Sequence, residues 1–173
     1  MLQDFKDEFK RYRITGERAI SQTSETWLNQ RLGDTPNSMA MIVRHISGEL
    51  VSRFTDFLRT DGEKRNRERD AEFHDLDYEY EEVMAYWNKG WTVLEKELGK
   101  LTDADMQKTV RIRNLPLTVH EALTRSACHI AYHVGQIVVM ARVLADEEWE
   151  WITIPRGKSQ LYNVRPTMEK RPL

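Results

Sequence analysis

Apolar residues recur every three or four positions through four long stretches of this chain, and its few glycines and prolines fall mostly between them. That spacing draws one apolar stripe along each helix and leaves the other side polar, so the stripes must cover one another. The first stretch, 3–32, carries Phe5, Phe9, Tyr12, Gly16, Ile20 and Trp27 in step. The run Gly33-Asp34-Thr35-Pro36-Asn37-Ser38 ends it, and Asn37 or Ser38 can cap the next helix. That helix, 38–59, presents Ile42, Ile46, Leu50, Phe54 and Phe57. A third, 75–98, is marked by Tyr80, Val83, Trp87, Trp91, Leu94 and Leu98, with Gly99 where a C-terminal cap belongs. The fourth, 118–145, opens on the capping box Thr118-Val119-His120-Glu121.

The connections carry their own signals. Residues 61–72 are mostly charged and read as a solvated loop. Thr109–Arg113 alternates and suits a short strand or a hairpin with 115–118. The tail, 146–173, holds Trp149, Trp151, Pro155, Pro166 and Pro172. It has too much apolar surface to hang free and too many prolines for another helix, so it is expected to pack across the others. The pattern predicts an all-α fold, a four-helix bundle with its core in 3–145, as one domain over 1–173.

Composition narrows the function. A chain of 173 residues buries roughly 70% of its unfolded surface and needs no staple. Its single cysteine, Cys128, excludes an intramolecular disulfide and a cysteine-rich zinc site. The balance of 26 basic against 28 acidic residues sets up no field for nucleic acid. Asp4, Lys6, Asp7 and Glu8 stand where a signal peptide would be apolar. The longest charge-free run, between Arg125 and Arg142, falls short of the ~20 residues of a membrane span and contains two histidines. A soluble, cytoplasmic protein is expected.

Those two histidines are the informative residues. His129 and His133 lie one helical turn apart on the face that carries Ala122, Ser126, Ile137, Met140 and Leu144. Two buried imidazoles leave four ring nitrogens to satisfy, and protonating both sets like charges side by side. A divalent metal resolves this, because neutral imidazole nitrogen is a preferred ligand. The competing reading is a pair of core histidines bonded to carbonyls, tyrosines or water. A third ligand is needed, and His45 is the best candidate, in a small uncharged stripe with Met41, Gly48 and Ser52. Glu49, one turn on, is the alternative third ligand or a partner to one. Three histidines from two helices would leave positions open, as in a catalytic site.

The other motifs fail. His74 and His120 read as surface residues, and no histidine follows the Glu-x-x-His pattern of di-iron bundles. Thr124 stands where a zincin would need its second histidine, and Ile152 where Gly157-Lys158-Ser159 would need the first glycine of a phosphate-binding loop. Cys128 falls opposite His133 and reads as a small core residue.

The stretch His129-Ile130-Ala131-Tyr132-His133-Val134-Gly135-Gln136-Ile137 resembles the His-x-x-x-His-x-Gly-Gln motif in the last core helix of the DinB/YfiT-like superfamily. His45 stands where that superfamily places its first ligand. Arg53 to Lys64 and Ile154 to Ser159 resemble one bacterial branch of it. The resemblance implies a four-helix bundle, a metal triad of His45, His129 and His133, and frequent homodimers. It implies zinc, nickel or iron as the divalent metal. Some relatives are S-transferases using low-molecular-weight thiols such as bacillithiol, and others are mycothiol-dependent isomerases. One departure is that Arg125 and Ser126 occupy a region where some relatives carry a further histidine. The expected function is a metal-dependent thiol S-transferase, with a hydrolase activating water or a non-catalytic dimeric module as alternatives. Glu49, Tyr132 and Gln136 are candidates for proton transfer or for orienting ligands. Arg156 and Lys158, or the loop Arg65–Arg69, could hold a thiol's carboxylates, set against plain solvated charge.

Overall fold

The periodic stretches fold as helices, and the polar runs between them decide where each one stops. The computed structural model describes residues 1–34, 37–145 and 148–166. Along the chain come α1 (Leu2–Ile20), a short α2 (Glu25–Asn29), α3 (Met39–Phe54) and α4 (Tyr80–Lys100). A hairpin of β1 (Thr109–Ile112) and β2 (Leu115–Thr118) follows, then α5 (Val119–Ala145) and a short α6 (Ser159–Val164). The fold is therefore mostly helical, with four long helices among the described residues. The main packings are α3 on α4 and α1 on α5, and α3 also meets α5. Phe9, Leu50, Phe54, Trp87, Trp91 and Ile137 are among the side chains sealed between them.

Several boundaries differ from the periodic pattern. The first helix ends at Ile20, because Ser21-Gln22-Thr23-Ser24 supplies local hydrogen bonds of its own. The Thr23 hydroxyl donates to the Ile20 carbonyl (2.7 Å), and Ser24 Oγ accepts from the Trp27 amide (3.4 Å) to cap α2. Trp27 thus belongs to a separate helix. The second helix stops at Phe54, with Thr55 extended and Asp56 at φ 50°. The third begins only at Tyr80, and Gly99 lies inside its last turn rather than capping it. The tail does form a helix, α6, because Pro155 and Pro166 flank it rather than interrupt it. Thr35, Pro36 and Pro172 lie outside the described residues. Cys128 is exposed, not core: at this level α5 turns Thr124, Arg125, Cys128 and Tyr132 outward together.

Two capping expectations hold. Ser38 Oγ accepts from the Met41 amide (3.3 Å) at the start of α3. Glu121 accepts from the Thr118 amide (2.7 Å) while Thr118 Oγ accepts from the Glu121 amide (3.1 Å), completing the box that opens α5. The hairpin also forms, with Thr109 paired to Thr118 and Ile112 to Leu115. Arg113 and Asn114 make its tight turn at φ 54° and 63°. The Asp61 carboxylate accepts from both turn amides (2.8 and 2.6 Å), so the hairpin is stitched to the segment leaving α3. Ser52 and Arg53 both donate to the Gly62 carbonyl and pin that segment from the other side. The charged loop thereby starts from a fixed anchor.

By length and composition α5 is apolar enough to cross a membrane. Here its apolar face packs on α1 and α3 and carries the histidines.

Gly16 on α1 marks a close approach. A Cβ there would stand 2.4 Å from the Trp87 ring, which is buried and cannot swing away. Gly16→Ala is expected to destabilise the protein by about 1–3 kcal/mol through overpacking, measured by denaturant unfolding.

Candidate metal centre

Helix geometry alone places His129 and His133 on one turn of α5, and the α3–α5 packing brings His45 to meet them. His45 Nε2 stands 3.2 Å from His129 Nε2, and His133 Nε2 stands 3.1 Å from the same atom. One donor nitrogen from each of the three lies within 4.8 Å of the others. Two ligands at ~2.05 Å in a tetrahedral arrangement would be about 3.3 Å apart, so these separations suit a common cation. Three histidines are thus close enough to hold a metal ion.

The outer ring nitrogens decide which way the lone pairs point. His45 Nδ1 lies 2.8 Å from Glu72 Oε2, a carboxylate that can only accept. His45 therefore carries its proton on Nδ1 and presents a bare Nε2. His133 Nδ1 lies 2.8 Å from Gln136 Oε1, whose amide nitrogen in turn donates to the Tyr132 hydroxyl (3.3 Å). That network gives His133 the same tautomer. His129 Nδ1 is buried without a hydrogen-bond partner among the described residues. A proton on His129 Nε2 could satisfy one neighbour and would leave the other lone pair facing it. Without a cation the cluster is unsatisfied in either tautomer. With one, three lone pairs share one acceptor.

Electrostatics favour the same state. Burial, reinforced by the neighbouring imidazoles and by Arg53 and Arg67, pushes His129 down to about 3. Burial also lowers His133, against the opposing effect of its Gln136 hydrogen bond. These two rings are neutral at physiological pH and available as ligands.

The residue that the sequence reading missed is Glu72. It lies 27 positions from His45, in a run read as solvated. Glu72 and Arg67 are instead buried against each other, with Arg67 Nε and Nη2 donating to the two carboxylate oxygens (2.8 and 2.9 Å). Burial alone would raise the Glu72 pKa, but the hydrogen bonds from His45 and Arg67 outweigh it and hold it below the ordinary carboxylate range. Gly48 makes the room: a Cβ there would stand 2.0 Å from Glu72 Oε1. The small stripe on α3 thus admits the Glu72 carboxylate. The Gly-x-x-x-Ser spacing of Gly48 and Ser52 beside His45 was the available signal, and it did not say what would fill the gap. Phe73 closes the other side of His45, its ring 4.9 Å away.

The remaining candidates separate. Gln136 and Tyr132 both support His133, and the Tyr132 ring lies 4.8 Å from it. Glu49 stays outside the convergent group. It is buried, accepts from Ser126 (3.2 Å) and faces Arg53 (3.6 Å), while its Oε2 has no hydrogen-bond partner among the described residues. Arg156 and Lys158 are exposed, and neither side chain bonds to a site residue. His74 and His120 are exposed as expected.

Burial raises Glu49 from 4.5 to about 7, against the smaller pull of Arg53 and Ser126. Across that window the folded chain keeps a proton that the unfolded chain has lost, so stability falls as pH rises through it. Glu49→Gln is expected to remove this dependence, a slope of up to about 1.4 kcal/mol per pH unit, with Arg53 still held by Gly62 and Glu63. Denaturant midpoints across the window check it. An unchanged slope in the variant would show that Glu49 is ionised in the folded state throughout.

Residues 1–158 match the family described as proteins of unknown function, DUF1572. No curated protein and no solved structure matches the chain.

Proposed function

The chain belongs to the DUF1572 family, and from that premise we propose a metal-dependent enzyme of the DinB/YfiT-like superfamily that transfers a low-molecular-weight thiol. One observation carries the metal reading: three imidazoles converge on one point, and two of them are turned by their outer partners to present bare nitrogens. In this reading α1, α3, α4 and α5 form the superfamily's four-helix bundle, and the protein works as a cytoplasmic homodimer. The thiol rests on the resemblance of His129–Ile137 to the superfamily motif; a bacillithiol-like molecule or another small thiol would serve.

A divalent cation held by His45, His129 and His133, whether zinc, nickel or iron, would supply uncompensated positive charge that favours thiolate over thiol at neutral pH. The chain's own residues do the rest. Glu72 holds the proton on His45 Nδ1 and fixes the ring's orientation, and Gln136 does so for His133. Tyr132 accepts from the Gln136 amide and, being exposed beside His133, is placed to meet a substrate there. Glu49 can hold a proton near neutral pH one turn below His45. Arg156 and Lys158 remain candidates for the thiol's carboxylates only if the tail folds over the three histidines.

The test pairs metal content with activity. Protein purified without a metal-affinity tag is expected to contain about one divalent ion per chain and to conjugate a small thiol to a chromogenic aryl halide. Protein that neither contains nor takes up metal would overturn the enzyme reading. Stoichiometric metal without conjugation of cysteine or any tested thiol would leave the site standing and sink the transferase.

A further inference from the structure

Between α3, α4 and the segment 64–72 lies a cleft of about 470 Å³, within the size range of small-molecule sites. Glu72 and Arg67 form part of its wall, and none of the three histidines lines it. Four cations do: Arg44, Lys64, Arg67 and Lys89. Arg67 is answered by Glu72, but the other three form no ion pair among the described residues. The Arg44 guanidinium donates to the Tyr78 hydroxyl and lies over the Tyr78 and Tyr86 rings, all neutral partners. The Lys64 ammonium donates to the Asp61 carbonyl. Lys89 is exposed and makes no side-chain contact of this kind. Among the described residues the only other carboxylate lining the cleft is the exposed Glu68.

In a chain with more acids than bases, three cations without ion pairs around one concave surface focus a positive potential. Burial also lowers the Lys64 pKa, which an anion seated beside it would reverse. We propose that this cleft is a second binding site, for a small polyanion bearing carboxylates or phosphates, held by Arg44, Lys64 and Lys89. Arg67 connects it to the histidines. Its Nε and Nη2 are spent on Glu72, while its Nη1 has no hydrogen-bond partner among the described residues. An anion reaching Nη1 shares the guanidinium that positions Glu72, and through Glu72 it touches His45. The site stands or falls independently of whether the histidines hold a metal.

Isothermal titration of the purified protein at low ionic strength, repeated after metal removal so that chelation does not enter, uses citrate and inorganic pyrophosphate as probes and glycerol as the neutral control. At least one anion is expected to bind saturably at one site per chain, and glycerol not at all. Tighter citrate identifies a carboxylate ligand, and tighter pyrophosphate a phosphate. Lys89→Glu is expected to weaken binding at least about tenfold, whereas Lys96→Glu, an exposed cation elsewhere on α4, changes it less than about twofold. Both substitutions are on the surface, and circular dichroism confirms that each folds. No saturable binding of either anion, or equal weakening by the two variants, would overturn the proposal.

Discussion

His129→Ala is expected to strip the protein of metal while leaving it folded, and in metal-free buffer it should not lower stability. The ring sits at the centre of the cluster, 3.2 Å from His45 Nε2 and 3.1 Å from His133 Nε2. Removing it leaves two ligands on opposite sides of a gap. Structural zinc in zinc-finger peptides is held by roughly 10–16 kcal/mol over four ligands, so losing one of three ligands here is expected to cost about 3 kcal/mol or more, above a hundredfold in affinity. The metal-free consequence differs because His129 Nδ1 is buried without a hydrogen-bond partner among the described residues, so removing the ring also removes an unsatisfied polar atom. Its depressed pKa adds a pH signature. Between about 6.5 and about 3 the unfolded imidazole is protonated and the folded one is not, so the metal-free wild type loses stability as pH falls through that window. The alanine variant should show a shallower acid limb, with His133 still contributing. Elemental analysis with unfolding curves on metal-free protein checks both parts. Retained stoichiometric metal in the variant would sink the triad.

Glu72→Ala should do the reverse, weakening the fold first and the metal site with it. Its carboxylate answers the Arg67 guanidinium, whose side chain is only 6% exposed, and also receives the His45 Nδ1 proton. Without Glu72 a buried cation loses its counter-charge, a change that typically costs about 3–5 kcal/mol. The His45 ring is also freed to turn or to change tautomer, which for orienting partners of this kind lowers metal affinity about 10–100-fold. Glu72→Gln separates the two effects. The amide keeps the shape and can still accept from His45, so metal affinity should recover more than stability does. Equal loss of both in the glutamine variant would show that charge, rather than orientation, is what the metal site draws from Glu72.

Much of this protein is legible without coordinates. Helical periodicity, the Thr118–Glu121 box and the alternation in 109–118 are local signals, and each found its element. The errors lie where the signal is ambiguous over a few residues. A polar tetrad after Ile20 can continue a helix or cap the next, and here Thr23 and Ser24 take the second option. Cys128 was misplaced because a helix opposite its ligand face can meet another helix or water, and periodicity does not distinguish them.

The sequence by itself determines that His129 and His133 share a face, since four residues on a 3.6-residue helix can do nothing else. It also makes His45 the leading candidate for the third member, with Glu49 left as the alternative. Only the tertiary structure decides that His45 points at the pair, through the packing of α3 on α5. Only it reveals Glu72 and Arg67, because a charged run looks the same whether water or a glycine gap on a distant helix receives it. Anchoring at Asp61 and Gly62, an ion pair and the missing Cβ of Gly48 together turn that loop inward. Those are contacts between distant parts of the chain, and no local pattern encodes them.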